Sequence, residues 1–185
     1  NSKTGSHALE FTAANDYAAL GMIDFTSEFT IAAWVYIPQK SNIQTILANT
    51  TDGGKSNGFK ILVNSWNSSD RAIIIETGNG NAAGYAYTEA NTFEFNQWNH
   101  IAVTINTQTQ EAVIYHNGVD KTFESAIIEG FDTNKETWIG AMTSLAFGMT
   151  GYIDDLKIYN QVLQASEIAQ IYDPQTPQTP ATPGN

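Results

Sequence analysis

An all-β sandwich of two antiparallel sheets is the fold class that this sequence predicts. Three observations carry the prediction. Short runs rich in β-branched and aromatic residues recur along most of the chain, Gly/Asn clusters separate them, and a single short segment near the end has helical spacing. The 185 residues suit one domain with a tail, enough to bury roughly 70% of the unfolded surface.

The elements follow in order. Residues 8–11 (ALEF) and 17–20 (YAAL) read as short opening strands. Residues 29–37 (FTIAAWVYI) form a long strand that ends at Pro38, which has no N–H for a ladder. Further strands are expected at 45–48, 59–63, 72–76, 86–87, 100–105, 112–115, 137–140 and 151–159. Turns fall at Asp52-Gly53-Gly54, Asn57-Gly58, Gly78 to Asn81 and Asn117-Gly118, where Gly and Asn supply the positive φ that tight turns need. The Asn117-Gly118 pair, between Tyr115 and Phe123, marks a hairpin. Ile153, Leu156 and Ile158 cannot all face one side in strict alternation, so a bulge is expected at Asp154-Asp155. Residues 166–172 read as one or two helical turns capped by Ser166. The domain is therefore placed at residues 1–173, and 174–185, which holds four of the five prolines, is a Pro/Thr-rich linker to a neighbouring domain.

Composition excludes whole classes. Eight Lys plus Arg against 19 Asp plus Glu give a net charge of −11, and Arg71 is the sole arginine, so a phosphate backbone or an anionic membrane finds no basic patch. Cysteine is absent, which removes disulfides, thiolate metal sites and cysteine nucleophiles together. No apolar run reaches the ~20 residues of a membrane-spanning helix.

Four stretches carry a family resemblance. Residues 98–104 (WNHIAVT) with 114–118 (IYHNG) form one motif, and 138–140 (WIG) leading through Phe147 to 151–160 (GYIDDLKIYN), Leu163 and 166–168 form another. Residues 29–35 (FTIAAWV) and 8–11 with 15–17 (NDY) complete the set. Their order and combination resemble the laminin-G-like, concanavalin A-like jelly-roll domains over most of residues 7–172. That family includes carbohydrate-binding modules, lectin-like domains, adhesin modules and glycosidases, so the resemblance implies the fold more than the ligand.

Catalysis is not expected. The E-x-D-x-x-E and E-x-D-x-E strands of related glucanases are missing, and neighbouring Asp154 and Asp155 would face opposite sides of a regular strand. Asp24 with Glu28 and Glu89 with Glu94 straddle turns, and neither G-x-S-x-G nor H-E-x-x-H is present. His7, His100 and His116 lack ligand spacing.

The resemblance implies a structural calcium ion joining the first and last strands. Asp16, Asp154 and Asp155 are its expected ligands, with a turn cap or a pairing to Lys157 as the alternative role for an aspartate. The loop 49–58 carries further Asp and Asn oxygens without EF-hand order. Trp34, Trp98 and Trp138 lie in family-like strands and read as core. Trp66, in a polar loop, reads either as an indole folded back onto its own hairpin or as a sugar-stacking platform, with Asn67, Arg71, Tyr85, Tyr87 and Asn57 completing the candidate ligand-binding set in the second case. The expectation is a noncatalytic carbohydrate-binding module, monomeric and calcium-stabilised, in a secreted or surface-displayed bacterial protein. Its partners would be a polysaccharide or glycan and its own flanking domains. The alternatives are an adhesin domain binding a glycan or protein, and a structural spacer.

Overall fold

The computed structural model describes residues 2–132 and 134–173; the Pro/Thr segment 174–185 lies outside the described residues. Along the chain run β1 (Leu9–Phe11), β2 (Ala18–Asp24), β3 (Glu28–Tyr36), β4 (Gln44–Ala48), β5 (Gly58–Val63), β6 (Ile73–Gly78) and β7 (Ala83–Thr88). They are followed by β8 (Trp98–Asn106), β9 (Glu111–His116), β10 (Val119–Asp120), β11 (Thr122–Ser125), β12 (Asn134–Ile139), β13 (Gly151–Tyr159) and helix α1 (Ala165–Tyr172). One sheet has the order β1-β13-β3-β8-β9-β10, the other β11-β7-β6-β5-β4-β12-β2. All these ladders are antiparallel, and β1 and β13, from opposite ends of the chain, are neighbours in the first sheet. This is the predicted jelly-roll sandwich.

Alternation explains the core. On β3, Phe29, Ile31, Ala33 and Val35 point between the sheets, opposite Phe59, Ile61 and Ile75 of the second sheet. Phe59 is fully buried, with Phe25, Phe29 and Phe131 at centroid distances of 5.0, 5.4 and 5.4 Å. Truncating a phenylalanine so placed costs about 3–5 kcal/mol.

The other face of β3 carries Thr30, Ala32, Trp34 and Tyr36, and α1 covers part of it. Ile168 is buried there with Ala32, Ala102, Tyr115 and Leu163. The helix starts one residue earlier than expected. Gln164, not Ser166, is the N-cap, and its backbone N–H donates to Glu167 Oε2 at 2.7 Å. The predicted hairpin is present: Asn117 and Gly118 have φ of 50° and 80°, and His116 pairs with Val119. Strands β10 and β11 were not expected from sequence, because they are short edge strands with exposed side chains and no apolar alternation.

The bulge in β13 is also present. Register shifts between Asp154 and Lys157, and Asp155 sits at φ 50°. Its effect differs from the expectation, because the two carboxylates part. Asp154 Oδ2 accepts N–H bonds from Lys3 and Thr4, both 2.8 Å, and the Thr4 hydroxyl at 3.3 Å. Asp155 pairs instead with Lys157 Nζ at 2.6 Å.

Candidate functional site

The outer face of the seven-stranded sheet collects Trp66, Tyr85 and Tyr87, three of the six predicted ligand residues. In register across it stand Trp138, Ala48, Lys60, Glu76 and Tyr85. A second row holds Leu62, Ile74, Tyr87 and Glu124. Residues 64–72 fold back over this face and lay Trp66 on it.

Trp66 is 39% exposed, as the stacking role requires. It is nevertheless held: its indole N–H donates to Glu76 Oε2 at 3.1 Å, Phe147 meets it edge-on at 5.1 Å, and Lys60 Nζ lies 5.8 Å from the ring centroid. Beneath it, Lys60 is buried, 3.5 Å from Glu76 Oε2 and bonded to the Gly53 carbonyl at 3.0 Å. Burial pushes the Lys60 ammonium below its ordinary value, and the Glu76 charge opposes that.

Tyr85 and Tyr87 extend the aromatic surface. Their rings stack at 5.8 Å and 22°, Phe123 follows at 6.2 Å from Tyr87, and Glu124 accepts the Tyr87 hydroxyl at 2.5 Å. That bond to the carboxylate raises the phenol above its usual range. Beside Tyr87 a groove of about 440 Å³ runs between Ala72, Asp70, Glu89 and Phe123. Burial raises the Asp70 carboxyl, but the Ser65 hydroxyl and the N–H groups of Ser65 and Ala72 outweigh it, so it stays below the ordinary carboxylate value. Those bonds close the 64–72 turn that presents Trp66.

The remaining members of the candidate set scatter. Asn67 occupies a left-handed turn position, φ 58°, next to Trp66. Arg71 leaves the sheet face and lines a separate cleft, where its guanidinium donates to Asn91 Oδ1 through Nε at 3.0 Å and also through Nη2. Asn57 lies at the far end of β5, doubly bonded to Asp132 at 2.8 and 2.9 Å and accepting from Lys135 Nζ on its carbonyl. It is a loop tie, separate from Trp66.

The expected calcium triad does not assemble. Asp16 Oδ2 accepts the Thr12 and Ala13 N–H groups and the Thr12 hydroxyl at 2.7–3.0 Å, which lowers its carboxyl below the ordinary value. Asp154 and Asp155 are bound as above, to the N-terminal segment and to Lys157. No group of three or more His, Cys, Asp or Glu side chains suited to a metal ion occurs among the described residues. Asp16 Oδ2, both Asp154 oxygens and Asp155 Oδ2 are each engaged in separate local contacts with N–H donors, a hydroxyl or the Lys157 ammonium.

Two tryptophans read as core lie elsewhere. Trp138 is half-buried on the outer face of the seven-stranded sheet, covered by Tyr17 at 3.9 Å and 15°. Trp98 is half-buried on the outer face of the six-stranded sheet, in register with Tyr36, which is in register with Tyr152. Trp34, buried, belongs to that same outer face under Tyr172. Each follows a β-type alternation, but the inward-facing positions are the others.

Comparison with known proteins agrees with the fold. A profile of the concanavalin A-like lectin/glucanases superfamily matches residues 12–169. Among curated protein sequences, none matches. Among solved structures, the CBM40 module of the Ruminococcus gnavus IT-sialidase bound to α2,3-sialyllactose superposes with a TM-score of 0.66 at 15% identity, covering 90% of this chain and 97% of its own. Domain 4 of AbnA, a GH43 extracellular arabinanase from Geobacillus stearothermophilus, in complex with arabinotriose, gives 0.65 at 17% identity, covering 90% and 76%. The native heptameric SAP-like pentraxin from Limulus polyphemus gives 0.63 at 16%, covering 86% and 76%. With its profile match over most of the chain and its two antiparallel sheets, the chain belongs to the concanavalin A-like lectin/glucanases superfamily.

Proposed function

We propose that the chain is a noncatalytic glycan-binding module that works outside the cell beside other domains of the same polypeptide. The observation that carries this reading is the aromatic surface on the seven-stranded sheet, where Trp66, Tyr85, Tyr87 and Phe123 lie over or beside Glu76 and Glu124. Ring faces of sugars stack on such aromatics, and the surrounding carboxylates, amides and phenols accept or donate to hydroxyls. The similar sialidase carbohydrate-binding module with sialyllactose and the extracellular arabinanase domain with arabinotriose support the reading.

The noncatalytic part rests on the carboxylates. Glycoside hydrolysis needs one carboxyl free to protonate and a second free to attack or activate water. On this face Glu76 is bound to Lys60 and Trp66, and Glu124 accepts two tyrosine hydroxyls. Affinity chromatography on insoluble glycans tests the reading. Trp66→Ala should lose retention, and full retention by that variant would remove Trp66 from the site. Release of reducing sugar from a glycan panel by the purified chain would overturn the noncatalytic assignment.

A further inference from the structure

A cleft of about 1050 Å³ opens at the loop end of the sandwich, apart from the Trp66 surface, and it is lined by Lys40, Arg71, Asn91, Gln97 and Glu94. In a chain of net charge −11 this places the sole arginine and a lysine in one concavity against a single carboxylate. Neither cation is neutralised. Lys40 Nζ has no hydrogen-bond or ion-pair partner among the described residues. The Arg71 guanidinium uses one edge, Nε and Nη2, on Asn91 Oδ1, which leaves the edge formed by Nη1 and the second Nη2 hydrogen without a protein acceptor among the described residues. Two parallel N–H groups of that kind match the two oxygens of a carboxylate.

The cleft is built in advance of any ligand. Buried Asn64 ties its two sides together, donating through Nδ2 to the Asn42 carbonyl at 2.7 Å and accepting the Arg71 N–H on Oδ1 at 2.9 Å. Arg71 is fixed at φ 60°, and its carbonyl accepts the Phe93 N–H at 2.9 Å. These backbone bonds hold Arg71 whatever its side chain, so the position is set before the guanidinium makes contacts.

Aromatic surface adjoins the charge. Gln97 of the cleft precedes Trp98, and Trp98, Tyr36 and Tyr152 form a half-exposed cluster with centroids 5.8, 5.9 and 6.4 Å apart. Lys40 lines both the cleft and a groove of about 340 Å³ that continues past Tyr152. The trough therefore offers ring faces at one end, where Glu10 accepts the Tyr152 hydroxyl at 2.8 Å, and two unpaired cations at the other.

We propose that this trough is a second carbohydrate site, selective for a glycan bearing carboxylates, such as a polyuronate. The sugar carboxylate is bound by Arg71 and Lys40, and an adjoining ring rests on the Trp98, Tyr36 and Tyr152 cluster. The inference deepens the glycan-binding reading but uses different residues, so the two fail separately.

Calorimetric titration of the whole chain with an oligogalacturonate, its neutral methyl ester and a sulfated oligosaccharide of equal length tests it. The acid should bind at least tenfold more tightly than its ester. Lys40→Gln with Arg71→Gln should erase that difference, since both changes leave the backbone bonds in place, whereas Trp66→Ala should preserve it. Raising salt should weaken the acid and spare the ester. Equal binding of acid and ester, no binding of either, tighter binding of the sulfated chain, or an unchanged affinity in the double variant would each overturn the proposal. Loss of acid binding in Trp66→Ala, with the double variant unaffected, would assign the acid to the seven-stranded sheet instead.

Discussion

Trp66 Nε1 donates to Glu76 Oε2 at 3.1 Å, and the same oxygen is 3.5 Å from Lys60 Nζ. One carboxylate thus orients the exposed indole and compensates a buried ammonium. The exposed platform and the interior of the sheet are coupled through it.

Glu76→Gln is expected to destabilise the domain by about 3 kcal/mol, because removing one partner leaves a buried charge without compensation. An amide can still accept the Trp66 N–H, so the indole stays in place while Lys60 loses its counter-charge. Lys60→Met combined with Glu76→Gln should recover much of the loss. Urea unfolding of the wild type, both single variants and the double variant measures the coupling.

His100 provides a pH signature. Burial lowers its pKa to about 4, helped by Lys157 and His116 and opposed by Asp155. Its ring packs on Trp34 and Tyr172, and Nδ1 is buried with no partner among the described residues. Below about pH 6.5 the unfolded chain takes up a proton that the folded chain refuses, so stability is full above that pH and falls as pH drops toward 4. The loss at pH 4 is on the order of 3 kcal/mol. His116, lowered by burial, adds in the same direction. Thermal melts at pH 7, 5.5 and 4 should show the decline, and His100→Gln should flatten it.

Asp154 anchors the start of the chain. Burial raises its carboxyl, but the N–H groups of Thr4, Lys3 and Asp155 and the Thr4 hydroxyl outweigh that and hold it below 3.8. Its stabilising effect is present above pH 3.8 and fades as pH falls below that value. Asp154→Ala should cost about 2 kcal/mol and expose residues 2–8 to limited proteolysis. If a calcium ion stabilises the domain, chelator should lower the wild-type melting temperature by several degrees and added calcium should restore it. A clear rise on adding calcium would place an ion at other residues.

The sheets were legible in the sequence wherever one face is apolar and the next polar. Strands β3 and β8 are buried at every position between their ends, because α1, the N-terminal segment or aromatic neighbours cover their outer faces as well. Alternation then marks two faces without saying which is inside, so Trp98 and Trp138 read as core although both are half-buried on outer faces, while Trp34 is buried as expected. At Asp154-Asp155 the phase break showed the bulge, but not that positive φ at Asp155 would send the two carboxylates to different partners. Trp66 was found because a tryptophan in a polar loop is unusual. Lys40 and Arg71 stand 31 positions apart on separate loops, which the β4–β5 pairing of Gln44 with Val63 and the Asn64 bonds bring together.

The Trp34 ring is shared by both ends of the described chain, with Lys3 Nζ 4.3 Å from one centroid and the Tyr172 ring at 5.5 Å. Topologically the domain is nearly a closed loop. A few flexible residues could join those ends, and the chain could be reopened at the exposed Gln108–Gln110 turn without cutting a strand. Such a circular permutant would carry its new ends on the opposite edge of the sheet from the β1–β13 seam.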